Sequence, residues 1–312
     1  PAISTARDAI SRAPAASPRP ARTLASSSAS TARSGPSTGA PLSATSRAFR
    51  KVSSALSGSP SLLWWAPRRA RAQKAQRGGY DGRGVEIFQD DSKIDRILPV
   101  PSLLEEYIDC EKELAVMVAR GVDGETRVYP VVEMVFDTEA NILDQLVAPA
   151  RITAEQAEAA QQLAVHTIDA IEGVGVFGIE LFLAKDGRLL VNEIAPRTHN
   201  SGHYTIEACV TDQFEQQIRA ITGLPLGSTE QLRPAAMINL LGEPDYTGRT
   251  VVEGLDDALA IDGVAVHIYG KAESRPMRKM GHVTVIDETI EQASAKAEQV
   301  RAQLKIRGER AL

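Results

Sequence analysis

The chain has 312 residues, a formal net charge of −5 and 43% hydrophobic residues, enough for one large domain or two. No apolar run approaches the ~18 residues a membrane span requires, and two cysteines, Cys110 and Cys209, are too few for a disulfide framework, which points to a reducing, cytoplasmic setting. Residues 1–73 hold ten Arg, Lys51 and one acid, Asp8, so residues 74–312 carry 24 basic and 39 acidic residues, a net of −15; a body of that sign excludes nucleic-acid binding through a general positive field.

Residues 1–73 are mostly Ala, Ser, Pro and Arg and lack apolar periodicity. Such a stretch cannot bury enough apolar surface to offset its conformational entropy, so it reads as disordered. Three origins fit: a transit peptide, which is Arg- and Ser-rich and poor in acids; a basic tail; or a wrong-frame translation joined to a genuine coding sequence. From Lys74 the character changes. Residues 114–119 and 127–136 are β-rich runs around Asp123-Gly124, a hairpin signal. Thr153 with Gln156 forms a capping box, and Ala160, Leu163, Ala164, Thr167, Ile168 and Ile171 recur at helical spacing, so a helix is expected over 154–171. Strands follow at 174–183 and 188–194, a helix at 202–221, short strands at 235–241 and 264–269, and a polar helix at 288–304. Irregular alternation of strands and helices suggests an α+β fold.

The most informative stretch is FGIELFLAKDGRLLVNE, residues 177–193. With Asp186-Gly187 as a two-residue turn, Lys185 faces Arg188 and Glu180 faces Glu193, with Cβ atoms roughly 4.5–5.5 Å apart. Alternation then puts Phe182, Ala184, Leu189 and Val191 on their face and Asn192 on the other. Two opposed carboxylates in apolar surroundings repel, so a shared proton or a cation must compensate; magnesium prefers such carboxylates together with phosphate oxygens. A solvated hairpin end with two ordinary glutamates is the alternative, and one bulge would break the register.

The next residues, Arg197, His199, Asn200, Ser201 and His203, crowd a guanidinium, two imidazoles, an amide and a hydroxyl into seven positions. Arg197 suits a planar oxyanion, and His199 or His203 suits proton transfer near neutral pH. Upstream, KAQRGGYDGRG (residues 74–84) is a glycine-rich loop with three cations, able to cradle phosphate through backbone amides. Residues 105–108 could meet an adenine edge and Glu113 ribose hydroxyls. Lys271, Arg275, Arg278 and Lys279 form a basic turn marked by Pro276 and Gly281, suited to a monophosphate.

In this order, KAQRGGYDGRG, GIE (178–180), NEIAPRTHNSGH (192–203) and RKMGH (278–282) resemble the 5-(carboxyamino)imidazole ribonucleotide synthases, ATP-grasp ligases of de novo purine synthesis. The run over 192–203 separates this family from biotin carboxylase and the formate-using purine ligase. The resemblance implies an ATP-grasp fold over 74–225 with a small C-terminal β-rich domain over 226–312. It implies ATP, magnesium, bicarbonate and aminoimidazole ribonucleotide as ligands, with no nucleic-acid or membrane partner, and a homodimer as the assembly to test. Glu180 and Glu193 match the metal ligands. Lys74, Gly79, Tyr80, Asp81, Gly82, Arg83, Gly84, Val85, Glu105, Glu106, Tyr107, Ile108, Glu113, Asn192 and Glu193 match ATP contacts. Phe136 stands where a histidine is common and is expected to stack on adenine. Arg197, His199 and Asn200 match the bicarbonate contacts; Tyr80, Asp81, Ser201, Lys271, Arg275 and Arg278 fall to the ribonucleotide. The family's usual N-terminal domain has no counterpart in residues 1–73, and the match starts abruptly at Lys74, which favours the wrong-frame origin and an inactive or poorly folded chain. A nucleotide-binding fragment without turnover and another ATP-grasp carboxylate–amine ligase are the alternatives.

Overall fold

The computed structural model describes residues 71–78, 84–88, 97–136 and 143–311. The low-complexity stretch through residue 70, and Gly79, Tyr80, Asp81, Gly82 and Arg83 of the glycine loop, lie outside the described residues. The elements are β1 (Arg71–Ala75), β2 (Val85–Phe88), β3 (Ser102–Glu106), β4 (Cys110–Arg120), β5 (Thr126–Val128), β6 (Val132–Phe136), β7 (Leu143–Ala148), α1 (Ala154–Ile171), β8 (Gly175–Ala184), β9 (Leu189–Ala195), α2 (Thr205–Ala208), α3 (Gln213–Thr222), β10 (Ala235–Leu241), β11 (Tyr246–Glu253), α4 (Leu255–Leu259), β12 (Val264–Ile268), β13 (Glu273–Ser274), β14 (Lys279–Ile286), α5 (Ile290–Gln303) and β15 (Lys305–Ala311).

One nine-stranded sheet organises the molecule, in the order β12-β14-β10-β7-β6-β4-β8-β9 with β5 beside β4. Its ladders are antiparallel and cross the expected boundary at 225/226, because β10 pairs with β7 on one side and β14 on the other. Two small sheets, β2-β1-β3 and β13-β11-β15, flank it. The strand that delivers Lys74 begins at Arg71, and Gln73 is anchored there by Leu98 and Ser102. Arg71, Ala72 and Gln73 therefore belong to the fold, although they fall within the stretch read as low complexity.

Alternating strand side chains feed two layers. Leu114, Val116, Val118, Ile179 and Leu181 meet Ala160, Ala164 and Ile168 of α1 on one face. Ala115, Met117, Val176 and Met237 meet Tyr204, Ala208 and Ala220 of α2 and α3 on the other. Toward the C-terminus, Ile238, Met280 and Val283 pack against Ala293, Ala297 and Val300 of α5. Burying a side chain such as Ile168 contributes about 1.5–3 kcal/mol, which is how α1 outweighs its mixed composition.

Helix α1 has the expected bounds, and its capping box is complete: Gln156 N donates to Thr153 Oγ1 and Thr153 N to Gln156 Oε1. Thr153→Ala is expected to cost about 1 kcal/mol, read as a lower urea midpoint with unchanged slope. The helix expected over 202–221 is broken. Asp212 accepts from Phe214 N and Glu215 N and so starts α3 afresh, while Thr205 Oγ1 receives Gln213 N. The run over 127–136 is also broken, because Pro130 has no N–H for a ladder and Tyr129 turns inward to Thr211 O. Gly281 lies inside β14, not in a turn; a Cβ there would meet the His267 carbonyl at 2.3 Å. The turn sits at Pro276, where Arg278 N reaches Arg275 O. Among the described residues no helix is long and apolar enough to cross a membrane.

Candidate active site

Glu180 does stand opposite Glu193, by a route different from the expected one. The hairpin loop has three residues: Gly187 N donates to Ala184 O and Ala184 N to Arg188 O, with Gly187 at φ 83°. The extra loop residue moves the register by one, so Leu181 faces Val191 and Phe182 faces Leu190. A bulge at Asn192 then moves it back and restores the Glu180–Glu193 pair. Bulges re-aim side chains, and two consequences follow. Leu189 and Val191 turn away from the carboxylates and pack on the α1 layer. Asn192 turns toward β1, where Lys74 Nζ donates to its Oδ1 at 2.7 Å.

The pair is not uniformly buried. Glu193 is exposed, whereas Glu180 is largely enclosed. Burial, followed by the charges of Glu193 and Glu113, pushes the Glu180 carboxyl up to about 7, while Lys279 and Lys74 pull the other way. Glu113, opposite Phe182 on the adjoining strand, is itself raised by burial and eased by Lys74. Three carboxylates thus share one end of the sheet with Lys74 and Lys279. Lys74 also pairs with Glu105 Oε2 at 2.8 Å.

The residues after β9 are arranged around His199. Ser201 N and Ser201 Oγ both approach His199 Nδ1, at 3.3 and 3.1 Å, which makes Nδ1 the acceptor and leaves the proton on Nε2, 3.5 Å from Glu180 Oε1. Gly178 makes this possible, since a Cβ there would lie 2.7 Å from the His199 side chain. Ser201, assigned above to the ribonucleotide, is wholly buried; its hydroxyl orients His199. Gln213, also wholly buried, clamps the His199 backbone by accepting from His199 N at 2.8 Å and donating to His199 O at 2.9 Å. Asn200 donates to Asn239 Oδ1 at 3.0 Å and keeps a buried Oδ1 without a partner. Arg197 is exposed, with Nη1 on Thr198 O.

The other expected contacts are less tightly gathered. Glu106 and Tyr107 are exposed and Ile108 half-buried between β3 and β4. Val85 begins β2 opposite Lys74, and Gly84 just before it accepts from Ala75 N. Phe136 packs at the edge of the α2–α3 core. Arg275 is exposed, Arg278 donates to Glu273 O, and Lys271 Nζ donates to the Lys279 carbonyl. Lys279, read above as part of a basic turn for a monophosphate, instead begins β14 and is charge-coupled to Glu180. Gln213 carried no local signal.

Among the described residues no group of three or more His, Cys, Asp and Glu side chains stands ready to hold a metal alone. The Glu180–Glu193 pair offers an all-oxygen donor set, and after burial the like charges of Glu193 and Glu113 act to raise the Glu180 carboxyl. Both features fit magnesium, which takes one or two carboxylates and completes its shell with phosphate and water.

A carboxylate pair on an antiparallel hairpin, facing a strand-borne lysine across a second small sheet, is the arrangement of an ATP-grasp protein, and the ATP-grasp domain family matches residues 70–214. The Phosphoribosylaminoimidazole carboxylase C-terminal domain family matches residues 235–296. N5-carboxyaminoimidazole ribonucleotide synthase of Bacillus subtilis is 41% identical over 231 residues, 72% of this chain and 59% of that protein. The structure of N5-carboxyaminoimidazole ribonucleotide synthetase from Thermotoga maritima matches with TM-score 0.70 and 52% identity over 77% of this chain and 63% of that one. The Aspergillus clavatus synthase, in complex with ADP and 5-aminoimidazole ribonucleotide, matches with TM-score 0.65 and 33% identity over 74% of this chain and 61% of that one. Residues 70–214 carry an ATP-grasp domain and residues 235–296 a phosphoribosylaminoimidazole carboxylase C-terminal domain, and over these residues the chain is similar to the N5-carboxyaminoimidazole ribonucleotide synthases. It spans less than two thirds of the length of each of these relatives.

Proposed function

We propose that the chain carboxylates 5-aminoimidazole ribonucleotide at the expense of ATP. The γ-phosphoryl passes from ATP to a bicarbonate oxygen, breaking the bond to ADP and giving carboxyphosphate. The exocyclic amine then forms a C–N bond to the carboxyl carbon, directly or through released carbon dioxide. The C–O bond to phosphate breaks, the amine loses a proton, and the carbamate, ADP and phosphate leave. The observation that supports this reading most is the Glu180–Glu193 pair with the 197–200 turn directly downstream. The pair would hold magnesium, which supplies positive charge to the transferring phosphoryl. Lys74, on Asn192 and Glu105, adds a fixed cation on the β1 side. Arg197 offers a two-pronged donor to bicarbonate, and His199 presents its Nε2 proton beside Glu180. Lys271 and Arg278 suit the ribonucleotide phosphate, and Tyr80 and Asp81 are assigned to the same ligand through the family resemblance. Free Cys110 and Cys209 fit a reducing compartment, in line with a cytoplasmic location.

The test is ADP formation by the whole chain. Turnover that requires magnesium, bicarbonate and aminoimidazole ribonucleotide together is expected. ADP formation indifferent to bicarbonate or to the ribonucleotide would overturn the reading, and nucleotide binding without turnover would mark a binding fragment.

A further inference from the structure

One polar rung crosses the α2–α3 face of the sheet. Asn239 of β10 is opposite His282 of β14, and His282 is opposite His267 of β12, so the three share a face. Residues Asn200, His203 and Glu207 fall on one side of the helical stretch after β9 and dock onto the rung in order. Asn200 donates to Asn239 at 3.0 Å; the His203 and His282 rings stack at 4.4 Å and 10°; His267 Nε2 and Glu207 Oε1 lie 2.6 Å apart. His267 also stacks on His282 at 4.4 Å, making a pile of three imidazoles.

The pile has a lead at each end. On one side Gln213 Nε2, which holds the His199 carbonyl, also donates to His203 Nδ1 at 3.1 Å. On the other, Tyr269 Oη and His282 Nδ1 share a hydrogen bond of 3.0 Å, and Lys271 Nζ lies 5.6 Å over the Tyr269 ring. A contiguous path therefore runs from His199 through Gln213, His203, His282 and Tyr269 to Lys271. We propose that Gln213, His203 and His282 are positioning residues that hold the 197–200 turn and the Lys271 loop in one mutual arrangement. Burial first, then neighbouring charge, holds His203 at about 4 and His282 at about 3, so both rings are neutral at physiological pH and stack without repulsion. His203 and His282 thus brace two parts of the site. The inference rests on the functional reading above only in assigning the carboxyl donor to the turn and the ribonucleotide to the loop.

The experiment compares three variants of the whole chain. His282→Phe keeps a stacked ring and removes the bond to Tyr269. Tyr269→Phe removes that bond from the half-exposed partner, where misfolding is not at issue. His282→Asn retains an amide near the Nδ1 position. The first two are expected to raise the KM for aminoimidazole ribonucleotide by roughly tenfold, as loss of positioning does, with the KM for ATP within about twofold. His282→Asn, which loses the ring stacked on His203, should raise the ribonucleotide KM as well. ATP and ribonucleotide KM values rising together, or a ribonucleotide KM unchanged in His282→Asn, would overturn the proposal. If the wild-type chain gives no turnover, the functional reading fails and the brace is judged by the His199 ring proton signal in NMR. It should shift in all three variants; an unmoved His199 signal removes the proposal.

Discussion

Glu180→Gln is expected to weaken binding of the magnesium–ADP complex by roughly 100-fold or more, since loss of a partner outside the metal shell alone costs 10–100-fold, and Glu193→Gln should remove magnesium-dependent turnover. The wild-type chain should also show a proton signature that the Glu180 variant lacks. A carboxyl held at about 7 is roughly nine-tenths protonated at pH 6 and one-tenth at pH 8. A cation needs the ionised form, so binding expels that proton. Calorimetry in buffers of different ionisation enthalpy should show nearly one proton released at pH 6 and little at pH 8, with affinity rising between them. The sign for folding is opposite. Because the folded-state value lies above the ordinary carboxylate value of 4.5, the folded chain binds the extra proton, so without ligand it loses stability as pH rises from that range through about 7. Equal proton release at both pH values, or unchanged release in Glu180→Gln, would remove Glu180 from the metal shell.

The carboxylate pair was legible for a reason that came close to failing. Asp186-Gly187 announced a hairpin, but a two-residue loop and a bulge-free ladder were each one residue away from the structure. The longer loop and the bulge at Asn192 cancel at Glu180. The cancellation does not extend to Leu189, Val191 and Asn192, which is why their faces were misassigned. No rule of turn chemistry tells a two-residue Asp-Gly loop from a three-residue loop with Gly at φ above zero; the Asp109 carbonyl that receives Lys185 N is information from another strand. Helix α1 was readable to the residue because both ends of its capping box are local. The break between α2 and α3 had a local sign in Asp212 with Glu215 three positions on, which the single helix expected over 202–221 passed over. Strands β11 and β15 offered little apolar alternation: they pair with each other in a separate small sheet, with Arg249, Glu309 and Arg310 exposed. The imidazole pile was out of reach because His203, His267 and His282 meet only once β12, β14 and α2 are assembled.

Glu133 marks how the opposite face of the same sheet handles charge. Its side chain is 8% exposed and is held by Lys112 Nζ at 2.9 Å and by Arg151 through Nη2 at 2.8 Å and Nε at 3.0 Å. Burial pushes its carboxyl up, and hydrogen bonds from Arg151 and Lys112 more than reverse that, leaving it below the ordinary range. Arg151 N also donates to it, so one carboxylate ties β4 and β6 to the turn that launches α1. Removing one partner of a fully buried ion pair costs about 3–5 kcal/mol; Lys112 and Arg151 keep some solvent, so Glu133→Ala is expected to cost roughly 2–3 kcal/mol. Arg151→Ala should cost a similar amount, because it leaves Glu133 enclosed with only Lys112. A folded-state value below the unfolded one means the contribution is present above the ordinary carboxylate range and fades as pH falls through the lowered value. Glu133→Ala should therefore lose most stability relative to wild type near neutral pH and less in acid, in urea titrations at both conditions. Magnesium–ADP affinity of the folded fraction should stay unchanged, because Glu133 faces the α1 layer and the Glu180–Glu193 pair faces the other way. A weakened nucleotide affinity in a variant of undiminished stability would reverse that division of labour between the two faces.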